Sequence, residues 1–237
     1  MAQYENYMPY AGTDTLEITN TLFRKVYQFM ALGLIITSIT AYLTAASPAM
    51  IRFFYGSRAP LIIAAVVEIG LVLYLGMAIN KISAQTALIL FLLYSFVNGL
   101  TCSILLLVYT QASIYQAFFT AAGMFGVMSI YGLYTKRDLT GMGSFLIMGL
   151  FGIIIASLIN LFMRSSGMEL VISIMGIIIF MGLTAYDTAK IKQLSMTVNG
   201  ADSSALTKIA VIGALQLYLD FINLFIYLLK IFGKRRD

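Results

Sequence analysis

Long apolar runs dominate the sequence and restrict what it can fold into. Six of them carry few charges and occupy residues 26–46, 60–79, 86–109, 113–134, 144–163 and 170–187. A seventh, at 209–232, is interrupted by Asp220 and Asn223. A bilayer core about 30 Å thick requires roughly 20 apolar residues of helix. The pattern therefore predicts a seven-helix transmembrane bundle.

The chain has too few charged residues to form a separate soluble domain. Charged residues make up 11% of the 237 residues, against about 25% in soluble domains, and the connections between the runs are short. We predict an all-α integral membrane protein with one bundle at 24–233, an N-terminal segment at 1–23 and a basic tail at 234–237. The net charge of +5 does not indicate nucleic-acid binding, because in a membrane protein the positions of Lys and Arg carry the information.

The basic residues of the short connections predict an orientation. Assigned alternately, one face receives Arg24, Lys25, Lys81, Lys136, Arg137, Lys190, Lys192 and Lys208. The other receives Arg52, Arg58 and Arg164. The positive-inside rule then predicts a cytoplasmic N-terminus for a multi-pass protein. Seven full crossings place the basic tail on the opposite face, against the same rule, so a last segment that enters and returns is an alternative.

Small residues at helical spacing predict where helices pack closely. Gly152 and Ala156 are four residues apart, and Gly123, Gly126 and Ser129 form a similar stripe. We interpret both as helix contacts rather than as functional positions.

Three acidic residues lie within or at the edge of the apolar runs: Glu68, Asp187 and Asp220. An ionised acid at the centre of a membrane helix costs about 3 kcal/mol even on the lenient insertion scale. Such residues usually face the protein interior or a wet cavity. All three are therefore candidates for an ion pathway.

Polar residues share one side of the helix that carries Asp220. At i, i+4, i+7 and i+11 the stripe consists of Gln216, Asp220, Asn223 and Tyr227. Thr184 and Asp187, three residues apart in the preceding run, also share a face. If the two polar faces meet, the two carboxylates approach each other, and we predict that this pair is the functional site.

Structural explanations stay open for each acid. Asp187 lies near the end of its run and can pair with Lys190 one turn later. Asp220 can serve as a hydrogen-bonding contact to a neighbouring helix. Glu68 has only apolar neighbours one turn away on its own helix, which are Ala64, Ala65, Leu71 and Val72.

Two membrane carboxylates suit proton and cation chemistry. Interacting carboxylates titrate as a pair rather than independently. Since the chain contains no histidine, a pH response must come from carboxylates or lysines. Ca²⁺ prefers oxygen ligands, and Asp187 and Asp220 with Asn223 offer a loose set of them. We predict weak Ca²⁺ binding at the pair and no tightly bound cofactor.

The sequence argues against an enzyme. Intramembrane aspartyl proteases carry their second acid in Gly-x-Gly-Asp, whereas Asp220 follows Leu-Tyr-Leu. Without histidine, the chain has no HExxH metalloprotease site. We predict no catalytic residues.

Four segments resemble the Bax inhibitor-1 family, also called the transmembrane Bax inhibitor motif family. The specific ones contain the two acids and read GLTAYDTAKIK at 182–192 and GALQLYLDFINLFIYLLKIFG at 213–233. The other two, SFVNGLTCSILLLVYT at 95–110 and AAGMFGVMSIYGLYTKRDLTGMG at 121–143, are similar to the bacterial inner-membrane branch.

The resemblance implies seven helices with the last one central, and a pH-sensitive Ca²⁺ leak in which Asp187 and Asp220 share a proton. It also implies an arginine latch in the second helix. Run 60–79 contains no Arg or Lys here, and the nearest cation is Lys81, which lacks the bidentate guanidinium.

We accordingly expect a calcium leak channel or transporter-like protein that passes Ca²⁺ and responds to H⁺ in a bacterial inner membrane. The alternative is a non-conducting regulator that binds other membrane proteins, for instance in quality control or stress response. Ion flux through the purified protein distinguishes the two.

Overall fold

The chain is helical throughout most of the computed structural model, which describes residues 10–197 and 203–236. Those ranges form α1 (Tyr10–Ala46), α2 (Pro48–Tyr55), α3 (Ala59–Ala78), α4 (Ala84–Val108), α5 (Gln111–Tyr134), α6 (Thr140–Met163), α7 (Ser166–Ser195) and α8 (Ser203–Phe232). By length and composition, all but α2 are able to cross a membrane. The seven predicted crossings are confirmed, and α8 is continuous through both of its polar interruptions.

Hydroxyl caps set where several helices begin. The side chains of Ser47, Ser83, Thr110 and Ser165 each accept a hydrogen bond from the backbone N–H three residues later. Such caps satisfy N–H groups that have no partner within the helix. Pro48 then occupies the first turn of α2, where its missing N–H is harmless. The connection between the first two crossings thus contains a short helix that hydrophobicity alone did not predict.

Helix α1 begins well before the predicted bundle at 24–233. Its early turns pack against the ends of α7 and α8: the Thr19 hydroxyl lies 2.7 Å from the Ser195 hydroxyl, and the Lys25 ammonium donates to the Thr207 hydroxyl at 3.0 Å. The predicted boundary between an N-terminal segment and the bundle is therefore not a break in the helix. Apolar run length underestimates a helix whose polar end is held by neighbouring helices.

Helix α8 occupies the centre of the bundle. In the most apolar stretch of α8, 61% of the residues are buried, against 11% in α3 and in α6. It packs against α1, α4, α5 and α7, whereas α3 packs on α4 and α6 packs on α7. The central position of the last crossing is confirmed, with α3 and α6 at the periphery.

The basic tail pairs with the connection between α4 and α5. Arg235 and Tyr109 form an antiparallel β-bridge. The Thr110 N–H donates to the Lys234 carbonyl at 3.0 Å, and the Arg236 N–H donates to a carbonyl of α4 at 2.8 Å. Helix α8 therefore runs the length of the bundle and ends far from the start of α1. A last segment that enters and returns does not fit this path.

The position of the tail weakens the charge argument for orientation. Lys230, Lys234, Arg235 and Arg236 lie on the face that already carried three basic residues. That face then holds seven basic residues against the eight assigned to the other. The positive-inside rule now gives almost no bias, and a cytoplasmic N-terminus stays a prediction.

The predicted glycine contacts are wrong. A Cβ atom placed on Gly123, Gly126 or Gly152 would meet no atom within 4 Å. Close helix approach occurs elsewhere: a Cβ on Gly99 would lie 2.6 Å from a threonine side chain of α1, and one on Gly132 would lie 2.9 Å from a threonine of α7. Spacing alone does not show which face of an apolar helix meets a neighbour and which faces lipid.

Candidate functional site

A cavity of about 530 Å³ contains both predicted aspartates. Its polar lining consists of Glu68, Tyr94, Tyr186, Asp187, Lys190, Gln216, Asp220, Asn223 and Tyr227. Helices α7 and α8 form its floor, and α3 and α6 contribute the sides. Because α3 and α6 do not pack extensively on each other, the cavity opens between them on the side of the bundle.

The two aspartates come from neighbouring helices and are both buried. Asp187 is 8% exposed and Asp220 is 3% exposed, and both line the same cavity. The Oδ2 atom of Asp220 is inaccessible to solvent and has no hydrogen-bond partner. A buried polar atom without a partner is costly, so this oxygen is the natural position for a proton.

The cation in the lining is Lys190 rather than Lys81. The Lys190 ammonium lies over the ring of Tyr186, with Nζ 5.8 Å from the ring centroid. Both Lys190 and Asp187 are among the described residues, and they form no ion pair with each other. Lys81 is exposed in the turn after α3 and does not line the cavity. The structure therefore does not bring Lys81 to the site that sequence analysis considered for it.

The neighbours predicted for the aspartates divide into two groups. Gln216 and Asn223 line the cavity on either side of Asp220 along α8. Thr184 does not, because its fully buried hydroxyl donates to the Phe180 carbonyl at 2.7 Å. Residues three apart in a helix differ by roughly 60° around the axis, and that rotation is enough to turn Thr184 away from the cavity.

Glu68 is held by polar side chains of α4. The Thr101 hydroxyl donates to Oε1 at 2.7 Å, and the Asn98 amide donates to Oε2 at 3.4 Å. On the other side of Asn98, the Tyr218 hydroxyl donates to Oδ1 at 2.9 Å and lies 2.5 Å from the Thr37 hydroxyl. A chain of polar side chains thus connects α3, α4, α8 and α1.

The neighbours of Glu68 on its own helix did not predict this network. The partners belong to the next crossing, where Asn98 and Thr101 are three residues apart in an apolar run. That pair of polar residues on one face was a signal that could have been used.

Two further cavities adjoin the first along α8. One of about 460 Å³, near the start of α8, shares Gln216 with the aspartate cavity. Another of about 330 Å³ shares Glu68 and Asn223 with it and extends to Asn98. Polar residues therefore line these cavities from the N-terminal part of α8 to beyond its middle. Apolar side chains such as Ile226 line the far end.

The acids do not form a tight metal cage. Within residues 10–197 and 203–236, no group of three or more His, Cys, Asp or Glu side chains is arranged to hold a metal ion. Ca²⁺ normally takes six to eight oxygen ligands, so two carboxylates with amide neighbours suit weak binding. Weak Ca²⁺ binding at Asp187 and Asp220 stays a prediction.

These features define a polytopic α-helical membrane protein in which the central last helix and the helix before it each present a buried aspartate to a chain of cavities. The family described as inhibitor of apoptosis-promoting Bax1 matches residues 19–237. The chain belongs to this family, Bax inhibitor-1, and the resemblance found in its Asp-containing segments is confirmed.

Bacterial relatives match over nearly the whole chain. Inner membrane protein YbhL of Escherichia coli strain K12 is 45% identical over 216 residues, which are 91% of this chain and 92% of YbhL. An uncharacterized protein of Borreliella burgdorferi is 46% identical over 220 residues, covering 93% and 94% of the two chains. The uncharacterized protein RP147 of Rickettsia prowazekii is 45% identical over 214 residues, covering 90% and 89%.

Proposed function

We propose that this protein is a pH-sensitive Ca²⁺ leak channel or transporter of the bacterial inner membrane, with a cytoplasmic N-terminus. The observation that carries the proposal is the pair of buried aspartates, Asp187 and Asp220, facing one cavity beside the central helix. The E. coli relative is named an inner membrane protein, which supports that location.

The cavity offers oxygen atoms suited to a hard cation. Asp187 and Asp220 supply carboxylates, and Gln216 and Asn223 supply amide groups nearby. Passage requires binding that is favourable enough for entry and weak enough for release. A site with two acids meets that requirement better than a site with a full ligand cage.

Protonation of the aspartates gives the proposed pH response. Two interacting carboxylates take up and release protons as a pair, and the proposal is that Asp187 and Asp220 share one proton, which lowers the cost of burying the Asp220 carboxylate. Losing that proton increases the negative charge in the cavity and so increases attraction for Ca²⁺. Proton occupancy then biases the equilibrium between closed and open forms.

The adjoining cavities provide the proposed route. It leads from the start of α8 past Gln216 to the aspartates, and then past Glu68 to Asn98. At its far end the lining becomes apolar, with Ile104 and Ile226. Hydrophobic constrictions gate channels by excluding water, so we place the barrier to passage there.

The test is Ca²⁺ flux into proteoliposomes from roughly pH 5 to 8, the range that covers physiological proton switches. Wild-type protein should show flux that changes with pH. Asp220→Asn keeps the shape of the side chain but cannot ionise, so its flux should change in size and depend less on pH. Asp187→Asn should act in the same direction because it removes the other half of the pair.

Glu169→Gln is the matched control, since Glu169 lies in the first turn of the helix that carries Asp187 but outside the cavity. Its flux and pH profile should equal those of the wild type. An unchanged pH profile in Asp220→Asn contradicts the mechanism. Absence of flux in purified protein, together with a stable membrane-protein partner, would favour the non-conducting regulator.

A further inference from the structure

An apolar groove of about 410 Å³ runs along the outside of the bundle between α1 and α5. Its larger lining residues include Leu34, Tyr42, Phe118, Phe119, Phe221 and Phe225. Helices α4 and α8 form its floor, and α1 and α5 stand apart as its walls. No acidic residue occurs among the described side chains that line it. The groove is therefore shaped and lined for an aliphatic chain.

The groove occupies the half of the bundle in which the chain ends. Tyr42 lies in the last turns of α1, Leu106 near the end of α4, and Tyr115 near the start of α5. These three helix ends meet at the face to which the tail is bonded. An occupant of the groove would thus belong to the membrane leaflet on that side.

Three basic residues are fixed at the mouth of the groove. Lys234, Arg235 and Arg236 are exposed, and all but one of the bonds that hold the tail to the α4–α5 connection use its backbone atoms. The Arg236 guanidinium donates to the Leu106 carbonyl at 3.2 Å, and Leu106 itself lines the groove. The basic tail and the apolar groove therefore adjoin each other directly.

The helix dipoles at this mouth largely offset one another. Helix α5 begins there at Gln111, whereas α4 and α8 end there, and the two ends of a helix carry partial charges of opposite sign. The positive charge at the mouth therefore comes from the basic side chains of the tail.

We propose that the groove and the tail form a binding site for one anionic phospholipid. One acyl chain lies in the groove, and the phosphate contacts Lys234, Arg235 and Arg236. Hydrogen bonds from guanidinium to phosphate are charge-assisted and often bidentate. Because the tail is already ordered by its backbone bonds, little freedom is lost when a lipid binds.

The test is native mass spectrometry of the purified chain titrated with phosphatidylglycerol or with phosphatidylcholine of identical acyl chains. Wild-type protein should bind the first phosphatidylglycerol about tenfold more tightly than the neutral lipid, a difference of about 1.4 kcal/mol. The triple variant Lys234→Ala, Arg235→Ala and Arg236→Ala should lose this preference. Its tail should stay in place, because the bridge and its flanking bonds use backbone atoms.

Further variants separate the contribution of the headgroup contacts from that of the groove. Lys136→Ala with Arg137→Ala removes basic residues in the exposed α5–α6 connection, at the other end of the bundle, and should keep the preference. Ser38→Trp places bulk over the groove at an exposed position whose hydroxyl bonds only to its own helix. Ser38→Trp should weaken the binding of both lipids. The same change at Ser144, an exposed serine bonded in the same way, should not weaken the binding of either.

The outcomes decide the proposal. Equal binding of the two lipids to wild-type protein, or a preference retained in the triple variant, overturns it. So does displacement of the lipid by soluble glycerophosphoglycerol, since that result would assign recognition to a free phosphate without an acyl chain. A dimer that excludes lipid and that Ser38→Trp dissociates would assign the groove to a second copy of this chain.

Discussion

Tyr218 lies two residues before Asp220 on α8 and faces the opposite side of the helix. Its ring is fully buried and packs edge-on against Phe91 and Tyr94, with centroid distances of 5.7 and 5.8 Å. Its hydroxyl bonds to Asn98, which in turn bonds to Glu68. One turn of α8 thus presents an acid to the cavity and a tyrosine to the packing core, so the position of the acid depends on contacts made by the tyrosine.

Replacing the tyrosine isolates the contribution of its hydroxyl. Tyr218→Phe keeps the aromatic packing but leaves Asn98 Oδ1 and the Thr37 hydroxyl without this partner. Each keeps one other partner, since Thr37 donates to the Ser95 carbonyl and Asn98 Oδ1 accepts from the Cys102 thiol. The variant therefore loses hydrogen bonds with a net worth of about 0.5–1.5 kcal/mol each, and we expect the thermal midpoint in detergent to fall. Tyr131→Phe, at a position that is 44% exposed, should leave the midpoint unchanged. An equal loss in both variants would show that the buried network does not stabilise the fold.

Close helix approach, rather than glycine content, determines which elements tolerate a larger side chain. At Gly99 a Cβ atom would lie 2.6 Å from a side chain of α1, while at Gly152 it would meet nothing within 4 Å. We expect Gly99→Ala to destabilise the α1–α4 contact by about 1–3 kcal/mol through overpacking. Gly152→Ala should be neutral or stabilise by up to about 1 kcal/mol through helix propensity. Thermal unfolding of the two variants measures the difference, and a larger loss at Gly152 would contradict this packing.

The start of α6 depends on one exposed carboxylate. Asp138 Oδ1 accepts a hydrogen bond from the Thr140 N–H at 2.9 Å. Bonds from the side chain and backbone of Thr140 lower the pKa of Asp138 below its usual range, because they favour the charged form.

A lowered pKa in the folded state makes this contribution depend on pH. The stabilisation is complete above the ordinary aspartate pKa and is lost as the pH falls through the lowered pKa of Asp138. We expect Asp138→Ala to lower the thermal midpoint slightly at neutral pH and to have no effect in strong acid. A difference between wild type and variant that grows as the pH falls would have the wrong sign for this bond.

Hydrophobicity predicted the seven crossings, and the polar stripe on α8 predicted that Gln216, Asp220 and Asn223 line one cavity. Contacts between helices were not predictable in the same way. Glu68 has its partners on α4, and Thr184 is turned away by a fraction of a helical turn. Periodicity fixes the position of a residue around its own helix but not the rotation of that helix against its neighbours.

The path of α8 gives the last prediction. The tail bonds to the α4–α5 connection. A cysteine at Arg235 must therefore lie on the same side of the membrane as one at Ser166, the first residue of α7, and on the opposite side from one at Lys136. All three positions are exposed, and Cys102→Ser removes the native thiol, since Cys102 is the single cysteine. With a cytoplasmic N-terminus, a membrane-impermeant maleimide added to spheroplasts should label Arg235→Cys and Ser166→Cys but reach Lys136→Cys only after lysis. Labelling of Lys136→Cys alone in spheroplasts would show the opposite orientation of the same fold. Labelling of both Arg235→Cys and Lys136→Cys would show that α8 does not cross the membrane.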